Sequence, residues 1–301
     1  MSGAATKISG MFGALETVLF DYNYTPDIVS GISSGSVLAM VAAMMREHQE
    51  VREQAYIRVT SFNIKDFMSL PPYNPKGKIT LGAKFRVLTG KPSLGKQDKL
   101  ETTLGNIITP ALYNEYKRGV DKYPDVIVGC VDYTDGGRKY FNVRRDNLSY
   151  EEFLRYTNAS ASIPIAVEPT DFNGRPLFDG GVRDHIGTGY ILDDKIYKDK
   201  IKDTMNIFSR PEDYKLANTN WSIKGKNVLD VAMRTFDIMN IEISKNDEYN
   251  IIHTSEKRGI SYKIIYLENH MKSLYDTDNA RLLLSYTEAI KETKKQLGIE
   301  Y

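Results

Sequence analysis

The five residues Gly31, Ile32, Ser33, Ser34 and Gly35 follow an apolar stretch that ends at Val29 and precede a helical pattern that begins at Ser34. Such an order, a short strand, a turn too sharp for side chains, then a helix, restricts the chain to an α/β architecture. Gly31 and Gly35 lack a Cβ, so the backbone can turn steeply and the helix can close on the strand. Ser33 then sits at the apex, beside helix N–H groups that favour developing negative charge. A serine hydroxyl is a weak nucleophile until a placement of this kind and a nearby base activate it.

The rest of the chain is read for what completes that turn. Residues 28–30 form the strand, and residues 34 to about 58 a long helix that is apolar early and charged later. Ahead of them a small-residue segment, 2–10, enters a helix over 11–20 and offers backbone N–H groups to an anion; the alternative is a mobile N-terminus. Residues 61–99 carry Pro71, Pro72, Pro75 and Pro92 and read as a loop-rich cap or lid. Their Lys76, Lys78, Lys84, Lys91 and Lys96, interleaved with Tyr73 and Phe85, read first as a solvated face and second as phosphate contacts.

Further on, 99–118 is helical with a break at Pro110, 125–132 is a buried strand, and 134–138 turns the chain into a partner strand at 139–143. Ser149 with Glu152 has capping-box spacing and starts a helix running to about 158. A strand over 167–172, the turn Asn173-Gly174 and a second strand lead to Asp179, Gly180 and Gly181, where rigid backbone holds a carboxylate. Strands at 205–208 and 261–267 and helices at 227–240, or longer, and 278–297 follow. Alternation without repeats predicts one α/β domain over 1–301 with a mainly parallel central sheet flanked by helices. Its motif-bearing part is 2–190, with 191–301 as an α/β extension.

Forty basic and thirty-nine acidic residues leave no global field for nucleic acid. A single cysteine, Cys130, excludes an intrachain disulfide, and with four histidines makes a Cys/His zinc site implausible. Cys130 reads as core. No run reaches the roughly 18 apolar residues of a membrane span, and the first residues lack signal-peptide order. The expectation is a cytoplasmic or otherwise intracellular protein whose membrane contact is peripheral.

Taken together, Ser33 and Asp179 resemble the patatin-like phospholipases, whose pattern is a Gly-rich loop, a Gly-x-Ser-x-Gly turn and a later Asp-Gly-Gly or Asp-Gly-Ala. The segments 88–94, 126–132 and 159–164 also look like parts of that family. The resemblance implies a three-layer domain and a Ser33–Asp179 dyad that hydrolyses acyl esters of phospholipids or related lipids, of the phospholipase A or lysophospholipase type. It further implies an oxyanion hole at Gly3, Ala4 and Ala5, with Lys7, Gly31, Gly35, Gly180 and Gly181 in support, and neither metal nor organic cofactor. Two departures stand out. The family's glycine loop is here Gly3, Ala4, Ala5, Thr6, Lys7 and Ile8, and only Met1 precedes Ser2, so either the sheet lacks the family's first strand or the chain begins upstream.

Two other readings compete. A conventional α/β-hydrolase triad would recruit His253 or His270, with His185 at a pocket edge and His48 on a charged helix; only about 25 residues precede the turn, too few for that fold. A catalytically weak or inactive protein that binds lipid or a partner is suggested by Ala4, Ala5 and Ile8.

Overall fold

The computed structural model describes residues 1–3, 5–74, 78–213, 222–224, 228–268, 270–271 and 276–300. In chain order the elements are α1 (Ile8–Glu16), β1 (Ile28–Ile32), α2 (Ser34–Met44), α3 (Gln49–Ser61), α4 (Leu81–Leu88), α5 (Leu100–Gly105), α6 (Pro110–Arg118), β2 (Asp125–Asp132) and β3 (Gly137–Asn142). They continue with α7 (Tyr150–Ser160), β4 (Thr170–Phe172), β5 (Arg175–Asp179), α8 (Thr188–Asp193), β6 (Asp203–Phe208), α9 (Val228–Arg258), β7 (Ser261–Tyr266) and α10 (Asn279–Leu297). The α/β character and the flanking helices agree with the sequence. The single helix expected over 34–58 is instead α2 and α3, interrupted at residues 45–48, and Pro110 opens α6 at a position where its missing N–H costs nothing.

Pairing within the sheet corrects the expectation of a mainly parallel arrangement. β1 and β2 are parallel, whereas β2–β3, β2–β5 and β4–β5 are antiparallel. Tight turns account for the β2–β3 and β4–β5 pairs, because strands joined by short loops pair antiparallel, whereas β5 meets β2 only after β3, α7 and β4 have intervened. A second, two-stranded sheet pairs β6 with β7 in parallel. Residues 1–3 bridge the two sheets: the Met1 nitrogen donates to Ser30 O (2.9 Å), Ile32 N to Met1 O (3.3 Å), and Ser2 N to Ile207 O (3.1 Å).

The register of β2 brings two distant segments together. β3 covers one edge of β2 from Ile127 to Asp132, so β1 and β5 must share the other edge. Ile32 lies opposite Gly129 and Asp179 opposite Cys130, hence the two strands approach from opposite directions and their C-terminal ends meet. Alternate residues of β2 serve opposite faces. Val126, Val128 and Cys130 enter the main core with α1, α2 and α7, and Ile127 packs with Ile191 and Tyr197 on the other side. Cys130 is therefore core, its thiol pushed up to about 12 by burial.

The cap expected over 61–99 is tied down rather than loose. Leu94 N donates to Ile165 O (2.8 Å), Gly95 bridges Val167, and Lys96 N donates to Leu70 O (2.9 Å). Arg86, buried on the inner side of α4, bonds Ser93 and pairs with Glu168.

Candidate active site

Ser33 stands between β1 and α2 with φ 57° and ψ −127°, a conformation that suits glycine and strains any other residue. Its neighbours enforce it. A Cβ on Gly31 would lie 2.0 Å from the Gly35 carbonyl oxygen, so only glycine lets the helix start so close to the strand. Ser33 N donates to Ser160 Oγ (2.9 Å), which donates in turn to Gly129 O (2.6 Å). The Ser33 carbonyl accepts from Ser36 Oγ (2.6 Å) and Ser36 N (3.0 Å). Backbone on both sides of the hydroxyl is thus held by α7 and by the first turn of α2.

Asp179 ends β5 and faces Ser33. The Ser33 hydroxyl and the Asp179 carboxyl line one cleft, where the hydroxyl favours the charged form, and Gly181 N donates to Oδ1 at 2.8 Å. The Asp179 backbone N donates to Ser162 O (2.9 Å). A Cβ at Gly180 would meet Gly129 O at 2.7 Å, which explains why glycine must follow Asp179. Burial raises the Asp179 carboxyl to about 7, opposed by the nearby Ser33 hydroxyl and the hydrogen bond from Gly181 N. A carboxyl so poised can hold or release a proton near neutral pH.

The structure commits one of the three N–H groups expected at the oxyanion hole to a backbone partner. Gly3 N donates to His185 O (3.0 Å), so Gly3 is corrected from a donor to a structural residue. Ala4 lies outside the described residues. Ala5 has φ 46°, a left-handed backbone that costs a residue with a Cβ about 1 kcal/mol. Ser34 N, at the first position of α2, has no acceptor within its own helix. Lys7 Nζ bonds Ser209 O (3.1 Å) and lines the cleft, its pKa lowered to about 8 by burial, which the charge of Asp237 opposes.

Two branches leave Ser33. One, a cavity of about 90 Å³, is apolar: Val37, Phe62, Phe67, Met68, Leu100 and Ile163 line it, with Phe67 and Met68 supplied by the cap. The other is the more polar of the two, with Lys7, His185, Arg210 and Asn240 set beside Phe236 and Ile241. His185 is the one histidine lining either branch. Its backbone N bonds Asp247 (2.6 Å), and burial lowers the ring to about 4, so the imidazole is neutral at neutral pH. His48 bonds Tyr123, His253 stacks on Tyr249, and His270 faces Glu292. Among the described residues no group of three or more His, Cys, Asp or Glu is placed to hold a metal ion.

Ser160 and Ser162 were legible in the sequence only as part of a family-like segment. Their hydrogen bonds to the Ser33 turn and to Asp179 arise from folding, and no spacing announces them.

This is an α/β protein whose strained serine turn meets a buried carboxyl across one strand. The family model for patatin-like phospholipases matches residues 1–192. The chain accordingly belongs to the patatin-like phospholipase family, a family of lipid acyl hydrolases. Among solved structures, VipD from Legionella pneumophila matches with a TM-score of 0.45 and 12% identity over 99% of this chain. The chain spans 66% of the length of VipD. Comparison with curated proteins finds no match.

Proposed function

We infer that the protein is a serine acyl hydrolase that cleaves fatty-acyl esters of phospholipids or related lipids, of the phospholipase A or lysophospholipase type. The observation that carries this reading is the placement of the strained Ser33 in one cleft with a buried Asp179 whose carboxyl is raised to about 7. Ionised Asp179 takes the hydroxyl proton as Ser33 Oγ bonds the ester carbonyl carbon. The carbonyl electrons move to oxygen, and the N–H groups of Ser34 and Ala5 are the donors we assign to that oxyanion. When the carbonyl re-forms, the C–O bond to the leaving alcohol breaks and Asp179 returns the proton to it. Water, deprotonated by Asp179, then hydrolyses the acyl-enzyme. The apolar branch suits the acyl chain and the polar branch the head-group side.

Histidine has no necessary part in this scheme. His185 is neutral at neutral pH, and Asp179 is the carboxyl that shares the cleft with the hydroxyl. The competing reading, a lipid- or partner-binding protein without turnover, draws on the committed Gly3 N–H and the strained Ala5. A fluorophosphonate ester separates the two. The expected result is label on the wild type and none on Ser33→Ala, with fatty-acid release from mixed phospholipid vesicles lost in Ser33→Ala and Asp179→Asn. Absence of label on folded wild-type protein would favour the binding protein.

Ser160 gives a further expectation. Ser160→Ala leaves the buried Ser33 N–H and Gly129 carbonyl without their shared partner, at a cost of about 1–3 kcal/mol in stability. Because the nucleophile is then less well fixed, kcat should fall roughly 10- to 100-fold with KM little changed. Equal kcat in Ser160→Ala and wild type would remove Ser160 from the positioning of Ser33.

A further inference from the structure

Helix α4 in the cap is inside out. Its Ala83 and Arg86 face the protein, Arg86 bonding Ser93 and Glu168, whereas Leu81, Phe85 and Leu88 face outward with 84%, 68% and 84% of their surfaces exposed. Spacing of four and three residues puts these three side chains on one stripe. An ordinary surface helix turns such a stripe to the core, because exposing it forgoes its burial. Inward space is not the obstacle alone, since the inner face is filled by a paired guanidinium.

The segment that carries the stripe has charges of one sign. From Lys78 to Lys96 the sequence holds four lysines and one arginine and no acidic residue. Lys78, Lys84, Lys91 and Lys96 are all exposed. On its other side the cap presents Phe67 and Met68 to the apolar cavity beside Ser33. An apolar stripe among lysines, in the same cap that supplies Phe67 and Met68 to that cavity, matches a surface that is itself apolar beneath an anionic layer. A second copy fits less well, because a two-fold contact through this face would set lysines against lysines.

We propose that α4 docks the protein on anionic lipid bilayers, with Leu81, Phe85 and Leu88 inserted below the headgroups and the surrounding lysines on the lipid phosphates. The proposal rests on the hydrolase reading only for its purpose, delivery of ester lipid to the cavity beneath the cap; the contact itself stands on the stripe and its lysines. No described helix is long and apolar enough to cross a membrane, consistent with a helix lying in the interface.

Vesicle flotation of the whole chain tests it, on phosphatidylcholine alone and with about 30 mol% phosphatidylserine. Wild type should float with the anionic vesicles and lose binding as salt rises. Leu81→Ser, Phe85→Ser and Leu88→Ser combined should weaken binding by about tenfold or more. Lys84→Glu with Lys91→Glu should weaken it on the anionic vesicles alone. Fluorophosphonate labelling, hydrolysis of a monomeric short-chain ester and the melting temperature should stay at wild-type values in both variants, since none of these side chains lines the cleft. Equal flotation of wild type and the triple serine variant would overturn the proposal, as would a wild type that ignores anionic vesicles. It would also fall if wild type were a dimer that the triple variant dissolves. Intact flotation without labelling would overturn the hydrolase reading and leave the lipid contact standing.

Discussion

Replacement of Ser33 by glycine should abolish acyl hydrolysis and at the same time make the protein more stable. Rate should fall by about 10⁴-fold or more, as for loss of a nucleophile whose partners act with it as a unit. Stability should move the other way. Ser33 is held at φ 57° and ψ −127°, where a residue with a Cβ costs of order 1–3 kcal/mol and glycine does not. Part of that relief is offset by the greater freedom of glycine in the unfolded chain, so a net gain of about 1 kcal/mol is expected. Ser33→Ala is the control, because it removes the hydroxyl and keeps the Cβ. Both variants lose the hydroxyl beside Asp179, so their difference in melting free energy isolates the backbone term. If alanine proves as stable as glycine, the turn stores no strain at Ser33.

Asp179→Asn should lower fatty-acid release by about 10³-fold, within the range for loss of a general base, and should change the pH dependence of both activity and stability. In the wild type the base works ionised, so kcat/KM should rise with pH through a midpoint near 7, the value to which burial raises this carboxyl. The stability effect has the opposite sense. A carboxyl at 3.8 when unfolded and about 7 when folded takes up a proton on folding, so its contribution to stability falls as pH rises between those values. Asparagine carries no such penalty. The variant should therefore gain on the wild type in unfolding free energy between pH 4 and pH 8, by an amount of order a few kcal/mol at the alkaline end. A wild-type activity profile that is flat from pH 5 to pH 8, with parallel melting curves for the two proteins, would show that Asp179 is ionised throughout.

The capping box at Ser149 and Glu152, the extent of β2, the turn after Asp179 and the start of α2 at Ser34 were all legible in the chain, because each is fixed by neighbours within a few residues. The long helix expected over 34–58 failed at residues 45–48, where nothing in the apolar pattern marks an end. Lys7 was legible as a basic position, yet not as a buried amine bonded to Ser209 O, since that partner lies far along the chain.

What the sequence by itself determined is local: a glycine-bracketed serine on a strand-to-helix turn, and a carboxyl pinned ahead of two glycines. Only the tertiary structure decided that β1 and β5 meet end to end along one edge of β2, which places Ser33 against Asp179. The same holds for the mixed direction of the sheet, for the link of Ser160 to the Ser33 turn, and for the outward face of α4. Side-chain periodicity tells which face of a strand is buried, but the edge hydrogen bonds that choose its partner and direction belong to the backbone, which is the same at every residue.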